Sequence, residues 1–121
     1  EDRFDLTRWR IAGNGADMIR PDVMQEFVDR FAPAGFKASA FCPSYGLAEA
    51  TLAVSLMPPG EGIRVELVEE HELSGGTADE GRPRRFRAIV NCGKAVDGMT
   101  IEIRGPDGEV LTARAMSIGL V

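Results

Sequence analysis

Pro43-Ser44-Tyr45-Gly46-Leu47-Ala48-Glu49-Ala50-Thr51 is the stretch on which the reading of this chain turns. Ala38–Cys42 before it reads as a strand, Pro43-Ser44-Tyr45-Gly46 as the loop that leaves it, and Leu47–Leu56 as a short helix. Such a strand-to-helix junction presents Tyr45 as an exposed aromatic and Gly46 as a place where backbone can approach a ligand. It also carries Glu49, a carboxylate one helical turn beyond the aromatic. Those are the parts needed to stack a flat base and to hold a metal ion beside its phosphates. A turn that lines a core would use the same residues.

Upstream, Trp9-Arg10-Ile11-Ala12 reads as a short strand ending in Gly13-Asn14-Gly15, a turn signal because glycine and asparagine tolerate positive φ. Pro21 suits the first position of a helix, where a missing N–H costs nothing. Val23, Met24, Phe27, Val28 and Phe31 then recur at helical spacing, with Asp22, Gln25, Glu26, Asp29 and Arg30 on the opposite face. Ala32-Pro33-Ala34-Gly35 stops that helix. Strand, helix and strand in this order predict an α/β unit.

After Pro58-Pro59-Gly60 the texture becomes β-rich, so that two subdomains are expected to meet near residue 60. Ile63-Arg64-Val65-Glu66-Leu67 alternates as a half-buried strand does, and a polar, Gly-rich loop follows from Ser74 to about Arg84. Phe86–Val90 and Met99–Arg104 are further strand candidates. Gly105-Pro106-Asp107-Gly108 predicts a hairpin turn onto Glu109-Val110-Leu111, and Ile118-Gly119-Leu120-Val121 reads as one more strand.

A length of 121 residues suits one domain or a piece of a larger protein, and a chain whose first residue is Glu1 reads as a cut-out from a longer polypeptide. The net charge of -5 works against the phosphate-backbone attraction that drives nucleic-acid binding. Cys42 and Cys92 lie far apart beside a single histidine, which excludes a zinc pattern and suggests free thiols in a reducing, cytoplasmic setting, with one long-range disulfide left open. No stretch approaches the ~20 apolar residues of a membrane span.

The remaining candidates have plain readings. His71 sits in an acidic run and reads as solvated, and Cys42 has no base in view. Ser74-Gly75-Gly76-Thr77 lacks the lysine of a phosphate loop. Arg82, Arg84, Arg85 and Arg87 form a basic cluster that is either solvated surface or a docking patch for an acidic partner.

The stretch Tyr45-Gly46-Leu47-Ala48-Glu49-Ala50-Thr51 closely resembles the aromatic-Gly-x-x-Glu signature of the adenylate-forming enzymes, in the form found in fatty acyl-AMP ligases. Trp9–Asp17 followed by Ile19-Arg20-Pro21 resembles the strand and Asn-Gly-Ala-Glu-Pro turn of that superfamily, with Asp17 in place of the more usual glutamate. Asn91-Cys92-Gly93-Lys94-Ala95-Val96 and Gly98–Ile103 resemble its Cys-Gly-x-Pro-x-x-Gly hairpin, with Ala95 where proline is common. The resemblance covers essentially the whole chain.

It implies that Tyr45 stacks on adenine within the cofactor-binding run Ser44, Tyr45, Gly46 and Leu47, and that Gly15, Ala16 and Asp17 line the other edge of the base. Glu49 would bind the magnesium ion that bridges the ATP phosphates. Many relatives carry a threonine just before that glutamate; this chain has Ala48. The implied reaction joins a fatty acid to ATP as acyl-AMP, with an acyl carrier protein as the acceptor, or CoA if the chain is instead from an acyl-CoA ligase.

No catalytic residue falls within the chain on this reading, and the isolated piece is expected to be inactive. Residues 1–60 would end an α/β subdomain, 61–85 would be an insertion resembling that of the AMP ligases, and 86–121 would open a β-barrel subdomain. A non-catalytic interaction domain is the reading from another class.

Overall fold

Pro21 opens the one long helix among the described residues, α1 (Pro21–Phe31), in the computed structural model, which describes residues 4–70 and 83–110. Proline at the first position fixes φ where no intrahelical N–H is required, and Asp22 places a negative charge in the first turn, where the helix dipole favours it. Met24 is buried, and Phe27, Val28 and Phe31 pack beside it on the same face. Pro33 and Gly35 end the run: Gly35 adopts φ 89°, and the Phe36 N–H reaches back to the Phe31 carbonyl at 3.1 Å.

That apolar face covers a small sheet. Strand β1 (Ala12–Asn14) lies parallel to β2 (Phe41–Gly46), with Ala12 opposite Phe41 and Asn14 opposite Pro43, and α1 is the crossover between them. The core at this layer is Ala12, Met24, Phe36, Ala40 and Phe41. It is largely aromatic, with Phe36 edge-on to Phe27 at 5.1 Å and to Phe41 at 5.0 Å, and Trp9 closing one side at 5.5 Å from Phe36.

Strand β2 then changes partners. Its second half pairs antiparallel with β3 (Ala53–Leu56), Ser44 facing Leu56 and Tyr45 facing Ser55, with a bulge between Tyr45 and Gly46. Strands β4 (Val65–Glu69) and β5 (Phe86–Val90) form a separate antiparallel pair, whereas β6 (Lys94–Ala95) returns to β3. The larger sheet thus runs β1-β2-β3-β6.

Several expectations move. The strand expected at Trp9–Ala12 is Ala12–Asn14, because the Trp9 N–H closes a turn on the Leu6 carbonyl at 3.0 Å while its indole N–H caps Ile11 at 2.8 Å. The strand expected at Ala38–Cys42 starts at Phe41, after a 3-10 turn at Ala38–Ala40, and continues through the supposed loop Pro43–Gly46. Pro43 is tolerated there because its carbonyl still accepts the Met57 N–H at 2.9 Å.

Leu47–Leu56 is not a helix: one 3-10 turn, Ala48–Ala50, precedes β3. An apolar run this short fits either period, and pairing with β2 and β6 decides it. The strand expected at Ile63–Leu67 lies at Val65–Glu69, and Phe86–Val90 is where it was expected. Met99–Arg104 contributes only the isolated bridge Arg104–Val110, across a turn closed by the Gly108 N–H on the Gly105 carbonyl at 2.9 Å. His71, Ser74–Thr77, Arg82 and Ile118–Val121 lie outside the described residues.

Candidate functional site

The carboxyl end of β1 lies beside the middle of β2, with α1 as the crossover between these parallel strands, and the carboxyl ends of such strands are where ligands bind open α/β sheets. Gly15 leaves β1 directly against Ser44 of β2. A Cβ on Gly15 would stand 2.6 Å from the Ser44 Oγ and 2.7 Å from its carbonyl oxygen, so no side chain fits between the two walls. The Ser44 hydroxyl donates to the Asn14 carbonyl at 3.1 Å. Ala16 follows with φ 71°, a left-handed conformation uncommon outside glycine, and Asp17 Oδ1 accepts the Met18 N–H at 2.7 Å.

On the second wall Tyr45 is 37% exposed at the bulge, while Ser55 opposite it is buried. Gly46 has no alternative, since a Cβ there would lie 1.8 Å from the Leu52 carbonyl oxygen. Beyond Leu47 the chain makes the single turn Ala48–Ala50, closed by the Ala50 N–H on Leu47 at 3.1 Å and the Thr51 N–H on Ala48 at 3.0 Å. Glu49 is exposed on that turn. Thr51, with φ 74° and ψ -46°, reverses the chain into β3; a β-branched residue is rarely found in this conformation.

A cleft of about 250 Å³ lies between the β1 turn and the start of α1, lined by Asn14, Gly15, Asp17, Met18, Arg20 and Val23 among others. It is smaller than the roughly 300–1,000 Å³ of a site that encloses a drug-sized ligand. Gly15 and Asp17 therefore share one cleft, while Ser44 abuts Gly15 from the side, and Tyr45 and Glu49 stand outside its lining. Sequence reasoning read Asn14 only as a turn residue, although its carbonyl joins the two strand ends. The positive φ of Ala16 and Thr51 had no signal in residue type.

The described residues contain no group of three or more His, Cys, Asp or Glu able to hold a metal. A lone exposed carboxylate nevertheless suits magnesium, which keeps most of its water and is commonly bound by one or two carboxylates together with substrate phosphates. Both cysteines are free: Cys42 is buried with its thiol on the Met57 carbonyl at 3.0 Å, and Cys92 is half-buried. Burial pushes the Cys92 thiol above its ordinary pKa of 9.0.

A parallel β-α-β unit whose second strand continues into an antiparallel sheet defines the class, a mixed α/β segment. No protein-family model matches the chain. It is 44% identical over 119 residues to a Caulobacter vibrioides protein provisionally named an acyl-CoA synthetase, covering 95% of this chain and 21% of that one. It is 38% identical over 108 residues to the medium-chain-fatty-acid–[acyl-carrier-protein] ligase JamA of Moorena producens, covering 85% of this chain and 18% of that one.

Among solved structures, a fatty acyl-adenylate ligase from work on the E. coli and L. pneumophila enzymes superposes with a TM-score of 0.79 at 37% identity, over 92% of this chain and 20% of the other. The chain belongs to the fatty-acid-activating ligases of the adenylate-forming superfamily, the group of the fatty acyl-AMP ligases and acyl-CoA synthetases, and spans about a fifth of the length of those relatives.

Proposed function

We propose that this chain is the adenine-binding and metal-binding part of a fatty acyl-AMP ligase. One observation carries the reading: Gly15-Ala16-Asp17, which leaves β1, starts in direct contact with Ser44 in the second half of the adjacent parallel strand β2, the half that carries Tyr45 and Gly46. In this reading the exposed Tyr45 ring would stack on the face of the base, and the Gly15-Ala16-Asp17 backbone would border its edge. Glu49, exposed on the turn after Tyr45, would hold a magnesium ion beside the phosphates of the same nucleotide, and that ion would neutralise charge between two anionic reactants.

In the reaction a fatty-acid carboxylate oxygen attacks the α-phosphorus. The bond to the bridging oxygen breaks, and pyrophosphate leaves as acyl-AMP forms. The chain's own residues orient the adenosine end, so that attack is in line. The Legionella pneumophila fatty acyl-adenylate ligase solved with acyl adenylate and pyrophosphate, with a TM-score of 0.69 at 29% identity, supports this product pair. The name of JamA supports an acyl carrier protein as acceptor, and that of the Caulobacter protein favours CoA as the second reading.

The test is ATP–pyrophosphate exchange driven by fatty acid in the full-length ligase. Glu49→Ala is expected to lower exchange ~100-fold, the scale of losing one preorganised electrostatic contact, with the fold unchanged by circular dichroism. Near-normal exchange at limiting magnesium would remove Glu49 from the metal site. The isolated chain is expected to give no exchange above a heat-treated control.

A further inference from the structure

The ladder between β1 and β2 ends at the pair Asn14–Pro43, and the next residues along, Gly15 and Ser44, face each other with no further backbone pairing. At that point the Ser44 side chain takes over: its hydroxyl donates to the Asn14 carbonyl at 3.1 Å, across 30 residues of sequence and in a part-buried setting. Gly15 brings the two backbones so close that a Cβ would overlap both the hydroxyl and the carbonyl of Ser44. The first wall is otherwise held only locally, by Asp17 on the Met18 N–H. Tyr45 is bonded directly to Ser44, so this one hydrogen bond couples the Gly15-Ala16-Asp17 edge to the aromatic ring.

We infer that Ser44 is a positioning residue: its hydroxyl latches the end of β1 to β2 and fixes the placement of Gly15-Ala16-Asp17 relative to Tyr45, rather than touching the nucleotide. The inference rests on the nucleotide-binding reading above. A single neutral hydrogen bond contributes modestly, so its loss should loosen that placement and weaken nucleotide binding about fivefold without disabling chemistry.

Ser44→Thr and Ser44→Val are the informative pair in the full-length ligase, because they share a shape and differ in the hydroxyl. Ser44→Val and Ser44→Ala are expected to raise KM for ATP about fivefold, leaving kcat and KM for fatty acid within twofold of the parent, while Ser44→Thr stays near normal. Equal KM for ATP in the Thr and Val variants would overturn the latch, even if the Ala variant were too unstable to assay. A fall in kcat at unchanged KM would also overturn it, by putting the hydroxyl on the reacting groups. Failure of the underlying reading looks different: the unsubstituted ligase itself would show no fatty-acid-dependent exchange.

Discussion

Gly46 shows how little freedom the site leaves to single residues. Its missing side chain is what lets the Leu52 carbonyl pack against β2 at this point, with 1.8 Å between that oxygen and the position of an added Cβ. Both partners of that contact are backbone, so Gly46→Ala must spread β2 from β3; we expect it to cost about 1–3 kcal/mol, as overpacking does, read as a lower denaturation midpoint with unchanged m-value. Cys92 makes a prediction of the opposite kind, about reactivity. Burial raises its pKa above 9.0, so iodoacetamide should label it more slowly in the folded protein than in urea at pH 8, as followed by peptide mass spectrometry. Because the folded pKa is the higher one, the associated stability is fully present below pH 9.0 and is lost as pH rises through the folded value. Equal labelling rates would contradict the burial of the thiol.

At the scale of elements, α1 and the two strands beneath it stand on an aromatic cluster whose centre is Phe36, 4% exposed and in edge contact with Trp9, Phe27 and Phe41. Phe36→Ala is expected to cost about 3–5 kcal/mol, measured by denaturant melting of the full-length ligase. The same helix was the most legible part of the sequence. Pro21, the 3.6-residue spacing of apolar side chains and the Pro33–Gly35 stop are all local signals, and the helix runs Pro21–Phe31. Strand ends were less legible. Trp9 has strong strand propensity, yet its ring is used by Phe27 and Phe36 and its backbone turns. Leu52-Ala53-Val54-Ser55-Leu56 fits two periods, and pairing with β2 on one side and with β6, far along the chain, on the other decides between them. The two segments proposed to hold adenine stand out by motif, but the contact between Gly15 and Ser44 does not. It follows from the register of β1 on β2 and from φ values at Ala16 and Thr51 that residue type does not encode.

For the whole molecule, the proposed function leaves two acceptors, an acyl carrier protein and CoA, to be told apart. The division expected at residue 85 falls between β4 and β5, which pair along their full length from Val65–Val90 to Glu69–Phe86. Deleting Glu66–Arg85 would therefore remove one strand of a two-stranded sheet and strand the other, whereas replacing residues 71–82 with a short Gly-Ser turn spares both. If the segment biases the ligase against thioester formation, that shorter replacement should leave acyl-AMP formation largely intact and raise acyl-CoA from a low baseline. A bias of ~3 kcal/mol already corresponds to more than a hundredfold. The measurement is labelled fatty acid with ATP and CoA, products separated by chromatography. A parent that makes acyl-CoA as readily as acyl-AMP would favour the CoA-ligase reading.

The return of β6 to β3 bears on how such a segment could be acquired at all. Leu56 pairs with Lys94, and the Val96 N–H reaches the Val54 carbonyl at 3.0 Å, so the chain leaves and re-enters the sheet at one fixed point. Everything between is a closed excursion whose ends are anchored. Closing a longer loop is only weakly penalised, by about 0.6 kcal/mol for each doubling of length. Lengthening or shortening that excursion therefore leaves the register of β2 against β3, and with it Tyr45 and Glu49, where they were. The length of that excursion is thereby uncoupled from the placement of the two side chains that the proposed function assigns to the nucleotide.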